Sequence, residues 1–491
     1  MRFNRSSGIL LHITSLPNDY GIGSLGKEAV AFIDFLSKSN QKLWQIFPTG
    51  PTGYGDSPYQ TFSAFAGNPL FIDVEELIKE GLLNPEDCEI DVPYPKDKVD
   101  FGRIFKEKNG WLRKAFSNFK ENDAFHEFCK EEAVWLDDFA LFIALKENFG
   151  GKSWVEWDEN AKTRDKETLE NFRAALSEEI QYQKFLQFKF FQQWEKVHQY
   201  AKEKNISIIG DIPIFIGLDS ADAWANPHLF HFDENCNPTF IAGVPPDGFS
   251  PTGQLWGNPL YNWEAMEQNH FQWWIQRFSA MLKIVDIIRV DHFIGFVNYW
   301  AVPAGEKTAE KGSWEPGPGR KVFDAVEKSL GKLPIIAEDL GVITPPVVEL
   351  RDLFSFPGMK ILQFAFYDGL ESDFLPHHYT ENFVVYTGTH DNETTRGWYK
   401  NIPENVREFA DKYLDFDGDK STISWKLIIT AWESKADMAI VPMQDILNLD
   451  NSARMNLPGT STGNWQWRMK KTALNDEISR KLKAITLKNR R

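Results

Sequence analysis

Four acids stand where apolar runs end. Asp211 closes IIGD, Asp291 closes VDIIRVD, Glu338 closes PIIAE, and Asp391 follows YTGTH. A carboxylate at the end of a buried strand is costly unless it is paired or used. One such acid is ordinarily a turn or a helix cap, but four at equivalent places point to a common site. Aromatic residues make up 14% of the chain, with 18 Trp; most such rings fill the core, yet aromatic faces also stack on sugar rings. Carboxylates ringed by aromatics suggest glycosidic-bond chemistry. Retaining enzymes need two carboxyls about 5–5.5 Å apart, one as nucleophile and one as acid/base. Asp291 and Glu338, on consecutive strands, suit that pair. Arg289 lies two residues before Asp291, on the same face of an extended strand, and a nearby guanidinium favours an ionised carboxylate. Asp291 is therefore the expected nucleophile. Glu338 has no basic neighbour in its own strand, so an apolar setting is expected to raise its pKa and keep it protonated for leaving-group donation. Asp391, beside His390, is expected to hold sugar hydroxyls in the distorted ring of the transition state.

The elements that would position these acids are legible as short apolar runs. Strands are expected at 8–13, 43–47, 206–211, 285–291, 334–338, 360–366, 383–387 and 438–443, with amphipathic helices such as 27–37, 270–283 and 346–353 between several of them. Buried strands alternating with helices imply a parallel sheet. Eight of them predict an α/β fold, a TIM (β/α)8 barrel, whose catalytic residues come from the C-terminal ends of several strands. The whole chain, 1–491, reads as one catalytic barrel with large helical insertions. Residues 70–190 are too long for one crossover and read as a helical subdomain after the second strand. Residues 214–269, rich in Gly, Pro and aromatics, read as an active-site loop insertion after the third.

The net charge of -16 disfavours nucleic-acid phosphate as a partner. Cys88, Cys129 and Cys236 are odd in number and far apart, which argues against a disulfide framework or zinc site. MRFNRSSGILLHITSLP has no long apolar stretch, and no run is long enough to span a bilayer. The expectation is a cytoplasmic protein with no membrane or nucleic-acid partner; oligomeric state is not legible.

Longer motifs narrow the reading. GPTGYGDSPYQTFSAFAGNP, GDIPIFI, VPPDGFSPTGQLWGNPLYNW, IIRVDHF, IIAEDLG, TGTHDNET and RMNLPGTSTGNW together resemble the 4-α-glucanotransferase family of the α-amylase superfamily type, the amylomaltases or disproportionating enzymes. The resemblance runs from about Ser6 to Arg468. It implies transfer of α-1,4-glucan segments between maltooligosaccharides through a covalent glucosyl-enzyme. It also implies Asp291 as nucleophile, Glu338 as acid/base and Asp391 as transition-state stabiliser. Arg289 would hold the nucleophile and His390 the sugar. Asp211, Ser57, Tyr59, Gln254, Trp256, Asn258, Asp368 and Asn464 would line the subsites, the loop 248–258 would lie over the cleft, and Tyr54 would belong to a secondary glucan-contact surface. No cofactor or metal is implied. Two positions depart from the family: Ile294 where Arg is common, and Phe101 where some relatives carry Tyr, which would remove a hydroxyl from the outer surface. The residues themselves leave two alternatives: a hydrolase using the same site with water as acceptor, and a non-catalytic glucan-binding protein. The latter explains the aromatics but not four strand-end acids.

Other signals are weaker. Gly21–Gly26 matches GxGxxG, but its first glycine comes eight residues after the strand and no ribose-binding acid closes the next strand. His377-His378 lacks ligand-spaced neighbours. The sequons at Asn4, Asn205 and Asn392 carry no weight without a secretory signal. No GxSxG elbow is present.

Overall fold

The computed structural model describes residues 2–246 and 250–491, with the side chain of Tyr54 outside the described part. In chain order the strands are β1 (Ser6–Leu10), β2 (Leu43–Ile46), β3 (Ser207–Ile212), β4 (Phe240–Val244), β5 (Gln254–Pro259), β6 (Ile287–Val290), β7 (Asn298–Pro303), β8 (Ser313–Pro316), β9 (Ile335–Ala337), β10 (Gly358–Ile361), β11 (Phe383–Tyr386) and β12 (Met438–Pro442). Eight form one sheet in the order β10-β11-β12-β1-β2-β3-β6-β9, and every pairing in it is parallel. The Ala337 N–H donates to the Pro357 carbonyl at 2.9 Å, which joins β9 to the entry of β10 and closes the ring. The fold is the expected eight-stranded α/β barrel.

Each strand is apolar on both sides because one side fills the barrel and the other meets a helix. In β12 all five residues are buried. The helix Lys27–Lys38 turns Ala29, Phe32, Ile33, Phe35 and Leu36 inward and leaves Asp34, Ser37 and Lys38 in solvent, the spacing of an amphipathic helix. The run expected as a strand at 360–366 stops at Ile361, because Leu362–Phe364 tightens into a 3₁₀ turn.

Between β2 and β3 lie the helices Val74–Lys79, Phe101–Asn118, Asp123–Glu131, Ala133–Asn148, Glu159–Lys162, Lys166–Ala175 and Ser177–Glu203. The last has 27 residues and is anchored to the barrel wall by the Trp194 indole, which donates to the Ile284 carbonyl at 2.9 Å. Phe101 begins a helix capped by the Asp100 carboxylate and is only 9% exposed; its ring is packed in the core, not presented on the outer surface as the sequence suggested. Ile294 is likewise 7% exposed, in the turn Phe293–Phe296.

The described residues of the segment 214–269 carry β4 and β5, which join β7 and β8 in an antiparallel sheet ordered β5-β4-β7-β8. The sequence reading missed this sheet because its two halves lie on either side of β6. The glycine-rich turn at 21–26 packs on its own chain: a Cβ on Gly23 would lie 1.8 Å from the Ile13 carbonyl, and one on Gly26 2.2 Å from the Asp73 carboxylate. An acid thus stands where a dinucleotide fold would place phosphate. Among the described residues no helix is long and apolar enough to cross a membrane.

Candidate active site

Parallel strands end together, so β3, β6 and β9 deliver their acids to one mouth. Register places Asp211 opposite Arg289, and Arg289 opposite Ile336. Arg289 points into the barrel, its side chain 2% exposed. One of its nitrogens contacts Asp211 and lies 3.4 Å from Asp291 Oδ1, and the other lies 3.1 Å from Glu338 Oε1. Its Nε faces Met359 Sδ at 3.5 Å. One fully buried guanidinium therefore gathers three carboxylates from three adjacent strands.

Beneath them the barrel interior holds a polar layer. The Tyr386 hydroxyl donates to Gln45 Oε1 at 2.8 Å, and Gln45 Nε2 donates to Asp211 Oδ1 at 3.4 Å. The Tyr59 hydroxyl donates to Asp211 Oδ2 at 2.7 Å. Asp211 is wholly enclosed; burial pushes its carboxyl above the ordinary value although Arg289 opposes this. Its partners occupy the hydrogen-bonding capacity that a buried carboxylate requires.

Asp291 and Glu338 are partly exposed, and both reach the same Arg289 guanidinium. Burial, then the charge of Glu338, raises Asp291 well above the ordinary carboxylate range despite Arg289. Burial also pushes Glu338 upward, but Arg289, the neighbouring Asp291 carboxyl and the His292 N–H outweigh it and hold Glu338 below its ordinary value. That N–H donates to Glu338 Oε2 at 2.7 Å from a residue in left-handed backbone, φ 48°. The sequence expectation gave Arg289 to Asp291 and an apolar setting to Glu338; the same guanidinium in fact reaches both. A guanidinium reaches sideways to the neighbouring strand, which spacing within one strand cannot reveal. Two carboxyls converging on one cation titrate as a pair, not independently.

Asp391 follows β11 on a loop, and its side chain is 45% exposed. Asn456 Nδ2 donates to its Oδ1 at 2.6 Å, and His390 Nε2 lies 3.4 Å from its Oδ2. The His390 ring stacks on Tyr59 with centroids 5.0 Å apart and packs against Phe47 at 4.7 Å and Trp465 at 5.6 Å. Tyr59 thus links the Asp211 centre to the Asp391 loop. Trp256 meets the His292 ring edge-on at 4.9 Å, and Gln254 Oε1 lies 3.3 Å from the Trp256 indole nitrogen. Asn258 accepts from Gln60 Nε2 at 3.1 Å and donates to the Ile216 carbonyl at 2.7 Å. Ser57 Oγ accepts from the Tyr59 N–H at 3.3 Å.

Two expected subsite residues stand farther from this network. Asn464 bonds only within its own loop, to Leu457 N–H and to Thr460, among the contacts of the described residues. Asp368 is exposed on the turn after β10. Gly248 and Phe249 of the expected cleft loop, and the Tyr54 side chain, lie outside the described residues. Gln45, Tyr386, Phe47, His292, Asn456 and Trp465 were missed. Asn456 and Trp465 belong to RMNLPGTSTGNW, so that motif held the signal; Gln45 and Tyr386 look like ordinary strand residues. His377 and His378 are engaged elsewhere, with the Tyr413 hydroxyl at 2.8 Å and the Leu370 carbonyl at 3.0 Å.

A sequence model described as 4-alpha-glucanotransferase matches residues 11–474. The chain is 49% identical to a 4-alpha-glucanotransferase from Synechocystis sp., over 98% of this chain and 97% of that one. It is 46% identical to one from Thermus thermophilus, over 99% of each. Among solved structures it superimposes on the amylomaltase from Streptococcus agalactiae in complex with acarbose with a TM-score of 0.96, at 43% identity over 99% of both chains. An amylomaltase from Corynebacterium glutamicum, at 18% identity, shares the fold with a TM-score of 0.78, over 98% of this chain and 75% of that one.

Proposed function

This chain belongs to the 4-alpha-glucanotransferase family, and from that footing we propose that it moves α-1,4-glucan segments between maltooligosaccharides by a retaining double displacement at Asp291 and Glu338. The observation that carries the mechanism is the Arg289 centre: Asp211, Asp291 and Glu338 held by one buried guanidinium.

In the first half-reaction an Asp291 oxygen attacks the anomeric carbon. The bond to the glycosidic oxygen breaks, and Glu338 gives that oxygen its proton. The leaving glucan departs and a glucosyl ester remains on Asp291. In the second, the 4-hydroxyl of another glucan attacks the same carbon, its proton passes to Glu338, and the Asp291 carboxylate is released. The bond formed matches the bond broken, so no net oxidant or activated sugar is consumed.

Retaining geometry needs two carboxyls about 5–5.5 Å apart, one charged and one protonated. Arg289, 3.4 Å from Asp291, stabilises the charge of the nucleophile, which leaves the proton to Glu338. His390 and Asp391 would grip the sugar from the aromatic side of the cleft. The remaining subsite assignments, Ser57, Tyr59, Gln254, Trp256, Asn258, Asp368 and Asn464, follow the same reading, with Tyr54 on an outer glucan contact.

The test is maltotriose alone, with products separated and total reducing ends counted. Glucose plus a ladder of longer oligosaccharides at constant reducing ends is the expected result. Rising reducing ends without a ladder would identify a hydrolase instead. The acid/base assignment has its own check. Glu338→Gln is expected to slow transfer from maltotriose by roughly 10²–10⁴-fold, the range of general acid–base catalysis, yet to give a fast stoichiometric burst of fluoride, which leaves without a proton, from α-maltosyl fluoride before turnover slowed by the missing base. Absence of that burst would remove Glu338 from the proton-donor role.

A further inference from the structure

We propose that Asn456 is a positioning residue for this reaction: its side-chain amide orients the Asp391 carboxylate, and Arg454 locks the two backbone segments together. The inference rests on the reading of Asp391 as the group that stabilises the transition state.

Asp391 stands on a loop with its side chain 45% exposed, so neither strand geometry nor close packing fixes it. Four hydrogen bonds do the work of a strand. Asn456 Nδ2 donates to Asp391 Oδ1 at 2.6 Å. The Asn456 N–H donates to the His390 carbonyl at 3.1 Å. Arg454 Nη2 donates to the Asp391 carbonyl at 2.6 Å, and Arg454 Nε to the Asn456 carbonyl at 2.7 Å. The segment Arg454–Asn456 is thereby tied to His390–Asp391 through side chain and main chain at once. The Trp465 N–H donates to the Met455 carbonyl at 2.7 Å, and its ring packs against His390 at 5.6 Å. The same segment therefore sets both the acid and the aromatic wall beside it.

The residue type matters. An amide donates a directional bond yet carries no charge, so it can aim the carboxylate without forming an ion pair with it. A lysine or arginine at 456 would hold the carboxylate as firmly but pair with its charge. The hydrogen bonds of Arg454 go to carbonyl oxygens, not to the carboxylate.

Asn456→Ala and Asn456→Asp separate positioning from packing. Both are compared with wild type for maltotriose disproportionation, with kcat and KM resolved and thermal melting recorded. Loss of the donor is expected to lower kcat by on the order of 10- to 100-fold, the scale of a misplacement near the reacting centre, with KM little changed. Asn456→Asp preserves shape but sets a second carboxylate against Asp391, so it is expected to be slower than the alanine variant. A packing role predicts the opposite order, because the isosteric residue would then be the milder change. The inference is overturned if Asn456→Ala keeps wild-type kcat, if its whole loss lies in KM, or if Asn456→Asp is the more active variant. If Asn456→Asp does not fold, the kcat and KM of Asn456→Ala decide. Wild-type protein that forms no ladder would overturn the parent reading and this inference with it, a result distinct from an active wild type with an indifferent variant.

Discussion

Asp291→Asn is expected to lower kcat/KM on maltotriose by roughly 10⁴-fold or more, the scale seen when a nucleophile is removed from a cooperating catalytic group. The amide has the size of the carboxylate but cannot form the glucosyl ester, and nothing else in the site replaces it: Asp211 is sealed beneath Arg289 and Tyr59, and Glu338 must give its proton to the leaving group. Folding should not suffer. Three acids face one guanidinium, and burial together with Glu338 raises Asp291 well above its ordinary range, so its charged form is disfavoured in the folded enzyme. The variant should melt at or above the wild-type temperature, the usual trade between stability and activity at a charged site. Steady-state transfer and thermal melting on the same preparation decide this. A variant retaining a tenth of wild-type activity would exclude Asp291 as nucleophile.

Removing Arg289 carries the second large effect, on stability as well as activity. Arg289→Met keeps much of the side-chain volume but leaves a buried group of acids without their cation. Breaking a buried pair in this way typically costs about 3–5 kcal/mol, and transfer should fall to background because the nucleophile and acid/base lose their common anchor. The pH dependence has a defined sign. Asp211 and Asp291 already lie above their ordinary values in the folded wild type, and loss of the guanidinium raises them further. A group whose folded pKa is raised stabilises the fold below its unfolded pKa and loses that contribution as pH rises through the folded pKa. The deficit of Arg289→Met relative to wild type should therefore be largest near neutrality and shrink as pH falls into the ordinary carboxylate range. Arg289→Lys should recover part of the stability but little activity, since a single ammonium cannot span the acceptors that a planar guanidinium reaches. Melting temperatures across this pH range test the account; a deficit that grows on acidification would refute it.

The chain order of apolar runs was enough to reach the barrel, because a strand buried on both faces must be written as a continuous apolar stretch. The acids at the ends of β3, β6 and β9 were legible for the same reason: a charge after such a stretch is conspicuous. Asp391 was visible through its place after β11, and the long motifs supplied the candidate subsite residues. What spacing along one strand cannot show is contact between strands. Arg289 was read as the neighbour of Asp291, yet register also sets it against Asp211 and within reach of Glu338. The four-stranded sheet escaped because β4 and β5 find their partners beyond β6, and a short strand has no signature without its partner. Asn456 and Arg454 reach Asp391 from more than 60 residues away. The sequence by itself determined which groups could react and which elements would carry them. The tertiary structure alone decided which charges share a cation and which neutral donors aim them, because those energies depend on distances between side chains that are remote along the chain.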